Sequence, residues 1–191
     1  MAYQTYISEA LVCGSRAHNT SDRSYLLFTR EAGMLYAQAR SVREERSKQR
    51  FALQEFSYVR ATLIHGKSGW RVAGVEAIQN VYAEQPTREA RGFVRSVLLL
   101  LRRLIQGETA HPELFDEVVG VLTNPIDATS VVLERVLTLR ILALLGYIAV
   151  DAELAPLLDA ADIPSAVSMY VKENEPQYVR AIEAALRESH L

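Results

Sequence analysis

Apolar and polar positions change rhythm once along the chain. Up to about residue 80, apolar residues come in short runs rich in Tyr, Val, Ile, Leu and Thr, broken by clusters of Gly, Ser, Asn and Asp. That is the pattern of strands and turns. Five strands are predicted: Tyr3 to Cys13, Ser24 to Thr29, Met34 to Val42, Phe56 to His65 and Trp70 to Ile78. The stretch from Gly14 to Asp22 reads as a loop, Glu31-Ala32-Gly33 as a tight turn, and Gly66-Lys67-Ser68-Gly69 as the turn of a hairpin. Five short strands cannot bury both faces as an open sheet, so a small closed barrel is the expected solution.

From Pro86 onward the period lengthens to that of a helix. Val94, Val97, Leu98, Leu101, Leu104 and Ile105 define one apolar face between Thr87 and Gln106, with Gly107 as the stop. A second helix is predicted from Glu113 to Leu122, after Pro112. A third, from Asp127 to Leu145, is apolar on nearly every side and belongs in the middle of a bundle. Three shorter helices follow, with Pro164 and Pro176 suited to first helical turns. The expectation is an α+β protein: a barrel domain over residues 1–82 and an α-helical domain over 83–191.

Composition narrows the class. With 49% hydrophobic and 23% charged residues in 191, the chain is neither a disordered segment nor a disulfide scaffold. Apolar runs such as Val97 to Leu101 are far too short to span a membrane. The start of the sequence lacks the pattern of an export signal, and a cytoplasmic location is expected. One cysteine, Cys13, supports neither an internal bridge nor a cysteine-based zinc site. The net charge of −2 conceals an asymmetry: residues 1–80 carry 11 Lys/Arg against 7 Asp/Glu, and residues 81–191 carry 10 against 16. A basic half of this kind directs attention to nucleic acid.

The densest basic segment runs from Arg40 to Arg50, where Arg40, Arg43, Arg46, Lys48 and Arg50 follow the third strand. Flexible cations at one end of a barrel neutralise phosphates without reading sequence. A solvated charged loop, partly self-paired through Glu44 and Glu45, accounts for the same residues. Tyr36 alternates with Leu35, Ala37 and Ala39, so it points outward if those small residues point in; Tyr58 and Trp70 are weaker stacking candidates, Trp70 reading better as packing. Arg88, Arg91, Arg95 and Arg102 share one sector of the first long helix. Such a stripe extends a nucleic-acid track, receives an acidic partner, or simply faces solvent.

Enzyme signatures fail on spacing. Gly66-Lys67-Ser68 imitates a phosphate-binding loop, but Ala61 stands where its first glycine belongs and the segment joins two strands. His18, His65, His111 and His190 show no metal-ligand spacing, and Cys13 sits in an apolar strand as a small hydrophobe.

Several ordered motifs carry a family resemblance. Ser21-Asp22-Arg23, Leu26 to Gly33, Ala39-Arg40-Ser41-Val42-Arg43 and Leu53-Gln54-Glu55-Phe56-Ser57, followed later by Pro112-Glu113-Leu114-Phe115 and Leu139 to Tyr147, resemble the bacterial RecO recombination mediators. The resemblance implies a five-stranded oligonucleotide-binding (OB) barrel followed by a helical domain. It implies binding of single- and double-stranded DNA, strand annealing, and loading of RecA together with a RecR-like protein and single-strand binding protein, with no turnover chemistry. By position it places the basic barrel surface on Arg40, Arg43, Arg46, Lys48 and Arg50. A contact with the acidic tail of single-strand binding protein would suit Arg88, Arg91, Arg95 or Arg102. No cysteine follows Tyr147, so the zinc module of many such proteins is not implied and no cofactor is expected. The alternative is an interaction adaptor with the same barrel and little DNA affinity; an RNA-binding barrel is a third reading.

Overall fold

The computed structural model describes residues 4–17, 21–42, 44, 47, 49–126 and 131–189. Five strands come first: β1 (Gln4–Ala17), β2 (Arg23–Thr29), β3 (Gly33–Ala39), β4 (Ser57–Gly66) and β5 (Gly69–Asn80). A short helix, α1 (Gln49–Ala52), lies between β3 and β4. The strands close into a barrel in the order β1-β2-β3-β5-β4. All neighbours are antiparallel except β3 and β5, which run parallel and meet through Ala37 with Trp70 and Gln38 with Arg71. Alternate residues fill the interior, among them Ala10, Val12, Leu27, Leu35, Ala37, Val59, Ala61 and Leu63, with Val42 and Leu53 closing the end beside α1.

β1 runs four residues beyond its expected end. Its pairing with β2 slips between Val12, opposite Leu27, and Gly14, opposite Leu26, leaving Cys13 as the extra residue of a β-bulge. Past the bulge the alternation of β1 is inverted. Ser15 lies opposite the interior residue Tyr25, and Arg16 lies opposite Ser24. The segment expected to be a loop thus stays in the ladder, because the bulge turns Arg16 to the outside, where water is available.

The second part is helical: α2 (Arg88–Leu104), α3 (Pro112–Leu122), α4 (Val131–Leu144), α5 (Ala155–Leu158), α6 (Ile163–Ser168) and α7 (Glu175–Glu188), the last preceded by a 3-10 turn at Lys172–Asn174. Thr87 caps α2, its hydroxyl accepting the Ala90 N–H at 3.1 Å. Prolines occupy the first turns of α3, α5, α6 and α7, where a missing N–H costs nothing.

The apolar face of α2 lies on the outside of the barrel. Phe93, Val94, Val97, Leu98 and Leu101 form one cluster with Leu11, Cys13, Leu26, Phe28 and Met34, and α3 adds Phe115, 5.3 Å from the Phe28 ring. Barrel and helices therefore share a core. Its edge is pinned at the β2–β3 turn, where the Met34 N–H donates to the Gly107 carbonyl at 3.0 Å and Arg30 makes a two-pronged ion pair with Asp116 at 2.7 Å. Gly33 has φ +64°, and a Cβ there would stand 2.2 Å from the Thr109 carbonyl oxygen. Only glycine fits both the turn and the close approach.

α4 is buried on most sides and packs against α3, α5, α6 and α7. Its one buried charge is Arg140, 7% exposed. The guanidinium binds both oxygens of Glu117 on α3 and donates through Nη1 to the carbonyls of Leu157, Leu158 and Ala160 at 2.9, 3.1 and 2.9 Å. These are carbonyls that the end of a one-turn helix leaves without partners.

Candidate nucleic-acid interface

α2 and α3 cover the outer faces of β1, β2 and β3 only around Leu11, Leu26, Phe28 and Met34. Beyond that cover the outward positions are polar. Tyr36 on β3, 44% exposed, points outward, while Leu35, Ala37 and Ala39 are buried inside. Its neighbour across the sheet is Leu26, whose own partner on β1 is Gly14. The guanidinium of Arg16 sits over the Tyr36 ring, 4.1 Å from its centroid. This cation–π contact holds a cation and an aromatic plane together at the surface. Gln38 continues the same face of β3, with Arg71 beside it on β5.

On the other side of this face stands α2. The guanidinium of Arg102 lies directly over Gly14, close enough that a Cβ on Gly14 would meet its Nη1 at 3.4 Å. Arg95, two turns earlier, lines with Arg102 a small cleft of about 140 Å³ that also includes Cys13, Glu55 and Phe56. The four-arginine stripe accordingly divides. Arg95 and Arg102 border the barrel, Arg88 is exposed at the helix start, and Arg91 is half-buried with its Nε donating to the Gln85 carbonyl at 3.1 Å. Arg40 is exposed just past β3. Among the described residues, Arg16, Arg40, Arg95 and Arg102 make no ion pair with a carboxylate. Arg50 lies on α1, its guanidinium 4.6 Å from the Phe51 ring centroid. Arg43, Arg46 and Lys48 lie outside the described residues, as do His18 and His190.

The remaining candidates are structural. Trp70 is 8% exposed, edge-on to Tyr6 at 5.1 Å and beside His65 at 4.7 Å. Tyr58 packs on Phe115 and donates its hydroxyl to Glu9 at 2.5 Å; burial, then the Glu9 carboxylate, push its pKa up to about 12. It is no open stacking platform. Burial likewise pushes the Cys13 thiol up to about 12, and its Sγ–H donates to the Leu11 carbonyl at 3.5 Å, so it packs as a small hydrophobe. The Gly-Lys-Ser sequence is the β4–β5 hairpin turn, with Gly69 at φ +93°. Among the described residues no cluster of His, Cys, Asp or Glu is arranged to hold a metal ion, and no helix is long and apolar enough to cross a membrane.

The sequence reading missed Arg16. It took the residue for part of a loop, and the signal lay in Cys13-Gly14, where an extra residue and an absent side chain let β1 shift its pleat.

A five-stranded closed barrel in this strand order, with a helix between its third and fourth strands, is the OB fold. Residues 1–81 match the family model described as Recombination protein O N terminal. Over 145 residues the chain is 31% identical to the DNA repair protein RecO of Desulfitobacterium hafniense (strain DSM 10664 / DCB-2), covering 74% of this chain and 52% of that protein. It is 28% identical over 142 residues to the protein of the same name from Pelotomaculum thermopropionicum, covering 74% and 56% respectively. For that of Myxococcus xanthus the figures are 32% over 124 residues, 63% and 50%. The chain belongs to the RecO family, and it spans about half the length of the curated relatives it matches.

Proposed function

We propose that this chain is a DNA-binding repair mediator whose barrel grips a single strand along the face that runs from Arg40 and Tyr36 to Arg102 and Arg95. The carrying observation is the Arg16–Tyr36 pair. An exposed ring under a guanidinium offers a base a stacking surface and the adjoining phosphate a charge, on the strand of an OB barrel commonly used for this purpose. Arg43, Arg46 and Lys48, which follow Arg40 in the sequence, extend the basic track, whereas Arg50 on α1 lines a separate recess with Arg23. The grip is electrostatic and readily reversed, as annealing of two strands and loading of RecA both require. Turnover chemistry forms no part of this reading. Double-stranded DNA, a RecR-like protein and single-strand binding protein are the proposed partners, with Arg88 the member of the α2 stripe best placed to meet an acidic tail away from the DNA.

The adaptor reading draws support from a groove of about 730 Å³ between α3, α4 and α6, lined by Val121, Ile126, Leu133, Ile163 and Val167. Its apolar lining suits the apolar face of an amphipathic peptide.

Fluorescence anisotropy of labelled single-stranded DNA at several salt concentrations tests the proposal. If Arg16, Arg40, Arg95 and Arg102 each neutralise one phosphate, log affinity falls with log salt at a slope of about −2.8. Arg16→Ala with Arg102→Ala should flatten that slope by about 1.4. No binding at low salt would leave the adaptor reading in front, and a preference for matched RNA would redirect the assignment to an RNA-binding barrel.

A further inference from the structure

One end of the barrel contains a recess that the proposed DNA track does not use. It has a volume of about 440 Å³ and is lined by Ser15, Arg23, Tyr25, Arg50 and Glu55 around an apolar floor of Val42 and Leu53. Two separate elements bring arginines into it. Arg23 opens β2 and, sharing the pleat side of Tyr25, turns toward the barrel interior, where its Nη1 donates to Ser15 Oγ at 3.3 Å. Arg50 comes from α1, the helix beside this barrel end, its guanidinium steadied against Phe51.

The Nε atoms of both arginines are buried and have no hydrogen-bond partner. A buried donor left unmade is costly, and guanidinium donors are rarely left so. Here two occur in one recess. Nε and the neighbouring Nη form the side-on fork that matches two oxygens of a phosphate. Beside them the Tyr25 hydroxyl is raised above the ordinary phenol range by burial, with Arg23 acting in the opposite direction, and it remains a neutral donor.

We infer that this recess binds a single phosphate monoester through Arg23, Arg50 and Tyr25. A terminal group enters a recess floored by Val42 and Leu53, whereas a continuous diester backbone has to pass through it. Glu55 sets the limit: its carboxylate, which accepts from Ser15 Oγ at 3.4 Å, repels a second phosphate placed beside the first. The monoester is supplied either by the end of a nucleic-acid strand, a source that rests on the DNA-binding reading above, or by free phosphate or a mononucleotide.

The test uses the full chain and internally labelled single strands carrying a phosphate at the 5′ end, at the 3′ end, or at neither. At least one phosphorylated strand is expected to bind about tenfold tighter than the unphosphorylated one, the difference vanishing in Arg50→Gln with the unphosphorylated strand's affinity unchanged. Arg23→Gln is the second variant should Arg50→Gln fail to fold. Equal affinities of all three strands for the wild-type protein would overturn the terminal-phosphate assignment and leave the DNA-binding reading intact. If no strand binds, that reading fails instead, and inorganic phosphate titrated alone decides: movement of the Arg23 and Arg50 Nε–H resonances supports free phosphate as the ligand, and no movement overturns the site.

Discussion

The helical bundle and the open face of the barrel handle arginine in opposite ways. In the bundle, Arg140 is almost fully buried and every nitrogen of its guanidinium is engaged, by Glu117 or by the carbonyls at the end of α5. On the barrel, Arg16 leans on a ring and Arg102 covers a glycine, with no carboxylate bound to either among the described residues. Burial explains the difference. A guanidinium removed from water needs a full set of acceptors, so the bundle's charge is committed to holding three helices together. An exposed guanidinium stays hydrated and remains available to a ligand that brings its own anion.

Breaking the bundle's arrangement has the largest expected effect. Arg140→Ala leaves Glu117 without its counter-charge and should lower unfolding stability by about 3 kcal/mol, measured by urea denaturation, while DNA affinity stays near wild type. Replacing both Arg140 and Glu117 with Met should recover only part of that loss, because the charge and its partner leave together but the carbonyls of Leu157, Leu158 and Ala160 still lose their donor. Gly33→Ala attacks the junction of the two regions. It combines a left-handed backbone with a clash at the Thr109 carbonyl, and about 2 kcal/mol should be lost in the same assay. On the open face the order of effects reverses. Tyr36→Ala should leave stability within about 0.5 kcal/mol of wild type but weaken single-strand binding by roughly tenfold, as one lost stacking contact does.

The smallest effect is a pH dependence at the junction. Arg30 hydrogen-bonds Asp116 and holds its carboxyl below the ordinary value of 3.8. A folded-state pKa below the unfolded one stabilises the protein above the unfolded value and ceases to do so as pH falls through the folded value. Both side chains are substantially exposed, at 39% and 53%, so the contribution is slight. Comparing acid unfolding of wild type and Arg30→Ala should show a small wild-type advantage near neutral pH that disappears well below pH 4.

Much of the fold was legible because its signals are local. The alternation of Leu35, Ala37 and Ala39 with Tyr36 gives the pleat of β3 directly, and the prolines at 112, 164 and 176 mark helix starts by the one position they favour. The bulge at Cys13 was not legible, since a shift of pleat shows itself only against the partner strand. Arg140 carried no signal either: inside an apolar helix it reads as an interruption, and Glu117 stands 23 residues away in the chain. For the same reason the Arg23–Arg50 recess was invisible, as strand and helix contribute one arginine each and only closure of the barrel brings them together. Of the interface, the outward Tyr36 and exposed Arg40 were foreseeable from spacing, whereas the division of the α2 stripe depended on where that helix crosses the barrel.

The parallel meeting of β3 and β5 has one more consequence. Every other stave of the barrel is joined by a long ladder, but this seam is stitched at two residue pairs. With so few bonds to break, it is the line along which the cylinder opens first, and amide exchange should be fastest there within the sheet. Tyr36 and Arg71 stand on its two sides. A nucleic-acid strand lying across them acts as a suture, and slower exchange at Ala37 and Gln38 would record its presence without any label on the DNA.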